Sequence, residues 1–256
     1  MSCNASAEVS TAPLLQARGI WKSYGAVQAL TDVDFDVHAD ECVALVGDNG
    51  AGKSTLIKIM CGALQPSKGE LFLNGEEVIF TGPRDAQAAG ISAVYQDLAL
   101  VEGLDVSTNV FLGQVPTRRL RVDRKRMARE TREALSQLAI DIPSVRAEVR
   151  FLSGGQRQAV AITRAVHHGG QLMIMDEPTA ALGVQEQRKV LQLIDTLKAR
   201  GIAVLVVSHN LEHVFSVADR VVVLRGGRIV GSREKAKTTH SEIVHMIVGA
   251  EMAPAS

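Results

Sequence analysis

Apolar residues in this chain gather in short unbroken runs. Cys42-Val43-Ala44-Leu45-Val46, Leu172-Met173-Ile174-Met175, Ile202 to Val207 and the stretch Arg220 to Leu224 are each bounded by turn or polar residues. Such runs suit strands covered on both faces. Helical patterns lie between them: Leu56-Ile57-Lys58-Ile59-Met60, Val184 to Ala199 with Val190, Ile194 and Leu197 on one face, and Glu212 to Val217. Apolar strands alternating with helices predict a mostly parallel sheet flanked by helices. The N-terminal part reads differently. Leu14 to Tyr24 and Val33 to Val37 mix apolar and polar residues as exposed strands do. Gly69 to Leu73 runs into Asn74-Gly75, a hairpin turn signal. Pro83 to Ala89 predicts a short helix, Ile91 to Tyr95 a strand ending at Gln96, and Gly226-Gly227 a turn into Arg228 to Val230.

From Asp105 to Ala165 strand signals are few, and Met127, Thr131, Ala134, Leu135 and Leu138 form a helical stripe. This stretch predicts a helical subdomain inserted into an α/β core, the whole forming one unit over residues 14–249, with disordered tails at 1–13 and 250–256. The insert carries a basic cluster of Arg118, Arg119, Arg121, Arg124, Lys125, Arg126, Arg129 and Arg132, with Glu130 and Glu133 among them. No aromatic residue interleaves these arginines for stacking on bases, so the cluster reads as the solvated face of an amphipathic helix.

Bulk composition narrows the field without deciding it. The 256 residues are 46% hydrophobic and 22% charged, enough for a substantial core. With 28 basic and 28 acidic residues the formal charges cancel, which disfavours a dedicated nucleic-acid binder. Cys3, Cys42 and Cys61 have no metal or redox spacing, and Cys42 and Cys61 lie in apolar runs, as buried thiols in a reducing compartment do. No run is long enough to cross a bilayer, and Met1 to Pro13 lacks the apolar segment of a secretory signal. A cytoplasmic protein is expected, with any membrane link made through a partner.

The chemistry centres on Gly47-Asp48-Asn49-Gly50-Ala51-Gly52-Lys53-Ser54-Thr55, between a strand and a helix. Glycines let the backbone turn its N–H groups inward around anionic oxygens, and the helix N-terminus adds donors and a positive dipole end. Lys53 brings a full charge to β- and γ-phosphates, and the Ser54 hydroxyl suits Mg²⁺. Asp176 and Glu177 end the next apolar strand, where open α/β sheets bind ligands. Asp176 suits a Mg²⁺ role and Glu177 the orientation or deprotonation of a water. Leu152-Ser153-Gly154-Gly155-Gln156 opens a further helix and makes a second anion site, more than one nucleotide needs from one chain.

These segments resemble, in order, the motifs of the ATP-binding subunit of ABC transporters, over nearly the whole chain. Gly47 to Thr55 is similar to the Walker A loop, Gln96 to the Q-loop, Leu152 to Gln156 to the family signature, and Met173 to Glu177 to the Walker B strand. His209, in Val207-Ser208-His209, is similar to the switch histidine, and Tyr24 to the aromatic that stacks on adenine. The resemblance implies a P-loop NTPase core with an N-terminal antiparallel β portion and an inserted helical subdomain. It implies ATP and Mg²⁺ as ligands, the metal met by Ser54, Gln96 and Asp176. Catalysis then falls to Lys53, Glu177 and His209, and nucleotide binding to Tyr24, residues 47–55, Gln96 and Ser153, Gly154, Gly155 and Gln156. It further implies permease subunits in the membrane, a periplasmic substrate-binding protein, an ATP-dependent homodimer, and a place on the inner face of the membrane.

Arg84 to Gly90, Tyr95 to Leu100 and Glu177 to Gly183 resemble the importers of simple sugars, ribose- or fructose-like, here in single-domain form. Gly183 departs from the wider family, which commonly carries Asp there. A soluble ABC-type ATPase acting on nucleic acid or ribosomes is the alternative, but no zinc module or coiled-coil insertion is visible. A regulator that binds ATP without turnover is expected to lack Glu177 or His209, and both are present. His209 and His213 share a four-residue spacing, yet no third zinc ligand is evident; His167-His168 reads as exposed and without a role.

Overall fold

The computed structural model describes residues 12–118 and 120–249. The expected tails lie outside the described residues apart from positions 12 and 13, as do Cys3 and Arg119. Strand β1 (Leu15–Tyr24) and strand β2 (Val27–Val37) form an antiparallel hairpin. Strand β3 (Cys42–Val46) enters the glycine loop, and helix α1 (Lys53–Met60) leaves it. Strand β4 (Lys68–Leu73) pairs with β1 and turns at Asn74-Gly75 into β5 (Glu76–Val78); both turn residues have positive φ, 53° and 83°, as a two-residue hairpin of this twist requires. These strands make the antiparallel sheet β2-β1-β4-β5. It is not the exposed sheet its mixed sequence suggested. Leu15, Ala17, Ile20, Leu30, Val33, Phe35 and Val37 are buried, because one face of the sheet lies over the core.

After α2 (Pro83–Ala88) and β6 (Ile91–Val94) the chain enters the insert. Helix α3 (Val106–Val110) is followed by two short paired strands, β7 (Thr117–Arg118) and β8 (Arg121–Val122), which the pattern had not indicated. Helix α4 (Arg124–Gln137) buries Met127, Thr131 and Leu135, with Leu138 just beyond its end, while Ala134 is half-buried. Its basic face is solvated, and Arg126 and Arg129 pair with Glu130 and Glu133. Helix α5 (Gly154–His167) closes the insert. The core resumes with β9 (Leu172–Asp176), α6 (Val184–Ala199), β10 (Ala203–Val207), α7 (Leu211–Val217), β11 (Arg220–Arg225), β12 (Arg228–Glu234) and α8 (His240–Val248).

The central sheet runs β12-β11-β3-β10-β9-β6, parallel except for β12. Its period-two alternation divides the core. Val43, Leu45, Ile174, Leu205 and Val207 face α1 and the antiparallel sheet, whereas Met173, Met175, Val204 and Val206 face α5 and α6. The insert has its own small core of Val106, Val110, Phe111, Met127, Leu135, Val149 and Val160. Helix α5 joins the two, giving Val160 to the insert and Ala161, Ile162 and Ala165 to the main core. His167 and His168 at its end are half-buried rather than exposed: His167 meets the Phe111 ring edge-on at 4.3 Å, and burial lowers the pKa of both.

The Thr131 hydroxyl is buried in the insert's core with no hydrogen-bond partner. An unpaired buried hydroxyl costs free energy that an isosteric methyl does not, so Thr131→Val is expected to raise stability by about 1 kcal/mol. A urea midpoint that rises with unchanged slope is the expected reading; a midpoint that falls would contradict it.

Candidate active site

The parallel register brings three loops to one edge. Val207 of β10 lies opposite Leu45 of β3 on one side and Asp176 of β9 on the other. The glycine loop, the Asp176-Glu177 pair and the Ser208-His209 turn therefore emerge side by side. The glycines answer to space as well as to conformation. Gly47 has φ 152° and a Cβ there would run into the Leu224 carbonyl; Gly52 has φ 107° and its Cβ would lie 2.7 Å from the Ala29 carbonyl oxygen. Helix α1 begins at Lys53, three residues before the apolar pattern that announced it, so its first-turn N–H groups face the loop.

Lys53 Nζ donates to the Gly47 and Asp48 carbonyls at 2.6 and 2.9 Å. Burial lowers its pKa, opposed by the charges of Glu177, Asp176 and Asp48. Across the cavity burial raises the pKa of Asp176, the charge of Glu177 adds to this, and Lys53 and Lys58 partly offset it. Glu177 has φ 50°, a conformation that costs a residue with a side chain about 1–2 kcal/mol. Its backbone N–H donates to the Val207 carbonyl at 2.8 Å. Its carboxylate accepts from the His209 backbone N–H at 3.1 Å and lies 2.8 Å from His209 Nδ1, while Ser208 Oγ donates to the other oxygen at 3.3 Å. The aim of this carboxylate is thus fixed by β10.

Asn49, Gly50, Gly52, Lys53, Ser54, Thr55, Gln96, Asp176 and Glu177 line one open cavity of about 290 Å³, with Ala29 of β2. Its oxygen donors are Ser54, Gln96 and one or two carboxylates, a set that suits Mg²⁺ completing its shell with phosphate and water. Among the described residues no cluster of three His, Cys, Asp or Glu could hold a metal alone. His213 faces Thr179 Oγ1 at 2.9 Å and His209 lies in the loop, so the zinc pairing has no geometry behind it. Gln96 follows β6, and the next carbonyls, Leu98 and Ala99, accept from Arg164 of α5 at 2.7 and 2.8 Å. Tyr24 ends β1, 49% exposed, and is not among the residues lining the cavity.

The signature residues stand apart. Ser153 caps α5, its Oγ accepting from Gln156 N at 3.3 Å while Gln156 Oε1 accepts from Ser153 N at 3.0 Å. Ser153, Gly155 and Gln156 line a different cavity, with Gln185, Glu186 and Lys189 of α6. Three contributors escaped the motif reading. Ser208 carried a signal, its place beside His209; Glu186 carried a weaker one, its place in the first turn of α6; Ala29 carried none, because only tertiary packing brings β2 to the loop.

Comparison with known proteins gives a consistent result. A family profile described as "ABC transporter" matches residues 30–180. A xylose/arabinose import ATP-binding protein of Sulfolobus acidocaldarius is 46% identical over 234 residues, 91% of this chain and 93% of that one. A fructose import ATP-binding protein of Rhizobium meliloti is 44% identical over 250 residues, 94% of this chain and 96% of that one. A ribose import ATP-binding protein of Yersinia pestis is 41% identical over 237 residues, 93% of this chain but 46% of that one, so the chain spans about half of that relative. A nucleotide-free ATP-binding cassette from an ABC transporter shares the fold, with TM-score 0.81 over 93% of this chain and 96% of that one at 23% identity.

Lys53→Ala deletes the one ammonium in the cavity. ATP binding, followed by calorimetry, is expected to weaken roughly ten- to a hundredfold, the worth of a charged hydrogen bond of about 1.5–3 kcal/mol. An affinity within about twofold of the parent would contradict the phosphate cradle.

Proposed function

The chain belongs to the ABC transporter family, and from that premise we propose that it hydrolyses ATP to power the import of a small molecule, a monosaccharide, through a membrane permease. The observation that carries the reading is the convergence of Lys53, Ser54, Gln96, Asp176 and Glu177 on one cavity, with the Glu177 carboxylate aimed by Ser208 and His209. In-line attack of water on the γ-phosphoryl group needs positioning and charge stabilisation more than covalent chemistry. Lys53 and the loop amides hold the phosphates. Glu177 takes or orients the proton of the attacking water, and His209, fixed to Glu177, reaches the γ-phosphate. Ser54, Asp176 and Gln96 would hold Mg²⁺, which supplies charge neutralisation at the phosphate oxygens. Tyr24 stacks on adenine from the exposed end of β1.

Ser153 and Gly155 line a cavity other than that of Lys53. A two-fold dimer lets each signature serve the partner's γ-phosphate, which supports ATP-dependent dimerisation. No helix among the described residues is long and apolar enough to cross a membrane. In this reading the permease is the membrane link, and the subunit sits peripherally on its inner face. The sugar assignment rests on the relatives, two of which, named for import of pentoses and of fructose, match this chain over nearly their full length. Gly183 removes a carboxylate from the expected dimer contact without touching the groups around Glu177. The nucleic-acid alternative finds no support in α4, where two of the arginines are tied to Glu130 and Glu133.

Reconstituted with its permease, the subunit is expected to show ATPase activity stimulated by a monosaccharide-loaded binding protein, and to lose at least about a hundredfold of it on Glu177→Gln. Stimulation by an amino acid, metal or lipid alone would overturn the sugar assignment, and full activity in Glu177→Gln the role of Glu177.

A further inference from the structure

The N-termini of α5 and α6 meet at a single carboxylate. Glu186, in the first turn of α6, reaches back over the N-terminus of its own helix toward that of α5. Its Oε2 accepts from Gly183 N and its Oε1 from Gly155 N, each at 3.3 Å. Two helix N-termini thus share one negative charge, which both dipoles favour. The approach is close: a Cβ on Gly155 would lie 3.0 Å from Glu186 Cβ, so a larger residue there would have to push the Glu186 side chain aside. The Ser153 hydroxyl and the two backbone N–H groups hold its pKa below the usual carboxylate range, so it is ionised at neutral pH.

We propose that Glu186 is a built-in occupant of the signature's anion site, a positioning residue whose carboxylate must leave the Gly155 N–H before the partner's γ-phosphate can take it. The proposal rests on the reading that the signature acts across a dimer. A carboxylate and a γ-phosphate are both anionic, and one N–H cannot serve both. Closure therefore requires Glu186 to withdraw. Lys189, three residues further along the same helix, makes no ion pair among the described residues, and its charge already acts on Glu186. It is placed to receive the displaced carboxylate as a near neighbour on the helix surface. Gly183 gives this arrangement its second function. Lacking a side chain, it cannot cap α6 itself, so the same carboxylate caps α6 and covers α5. The consequence is a threshold. The free subunit resists ATP-driven closure, and after hydrolysis, when phosphate departs, the carboxylate returns to Gly155 and favours opening.

The test uses the hydrolysis-blocked Glu177→Gln chain and measures, by analytical ultracentrifugation, the ATP concentration that gives half-maximal dimer. Glu186→Ala removes the occupant. Glu186→Asp keeps the charge near Gly183 but is one methylene short of Gly155. Glu186→Ala is expected to dimerise at roughly three- to tenfold lower ATP, the range for one net hydrogen bond, with Glu186→Asp between it and the parent. A purely structural cap predicts the reverse: a lower melting temperature with an unchanged or higher ATP requirement, and that result overturns the proposal. If neither the Glu186-containing chain nor Glu186→Ala dimerises with ATP, the reading in trans falls and this proposal with it, an outcome distinct from a dimer whose ATP requirement ignores Glu186.

Discussion

Val207 sits between Leu45 and Asp176, and the pairing of β10 with β3 and β9 is the constraint on which the rest depends. Because all three strands are parallel and in register, their C-terminal ends are level. A slip of one residue in any of them would turn its inward side chains to the opposite face. The register is held by burial on both sides: Val43, Leu45, Ile174 and Leu205 pack against α1 and the antiparallel sheet, and Met173, Met175, Val204 and Val206 against α5 and α6. Truncating a core aliphatic of this kind typically costs about 2–5 kcal/mol, a large share of a domain's stability. The strained backbone at Glu177 is tolerated because that framework over-determines it, with the Val207 carbonyl and the Ser208-His209 turn holding it from the next strand.

Helix α5 extends this rigidity into the insert. It shares side chains with both cores, and Arg164 grips the carbonyls of Leu98 and Ala99 just beyond Gln96. Nearby, buried Asn109 pins the same crossover, accepting from Val101 N and donating to the carbonyls of Val101, Leu104 and Asp105. Helix α5, with Ser153 and Gly155 at its N-terminus, is thereby tied to the segment just beyond Gln96. The chain carries two candidate anion sites, one built on β3 and α1 and the other on α5, and in the function proposed above each is completed by a second copy.

Much of this was legible in the sequence. The apolar runs located the parallel strands because strands buried on both faces leave a contiguous signature, and the glycine loop, the Asp176-Glu177 pair and the Ser153-Gly154-Gly155 turn declared themselves by residue type at fixed spacing. What escaped depends on tertiary contact. The hairpin of β1 and β2 read as exposed because only one of its faces is covered, and His167-His168 read as exposed because polarity conceals packing against Phe111. The hairpin at 117–122 is too short to show a period. Glu186 escaped because its partner, Gly155, lies 31 residues away, a distance no local pattern spans.

Cross-linking tests whether the cradle of one chain works with the signature of another. One chain carries Asn49→Cys and a second, distinguishable by mass, carries Ser153→Cys, with Cys3 replaced by serine in both; Cys42 and Cys61 are buried. A disulfide joining the two different chains when ATP is added, and absent without it, is the predicted result. Cross-linking that proceeds equally without nucleotide, or none with saturating ATP while the same chains still bind it, would contradict the claim.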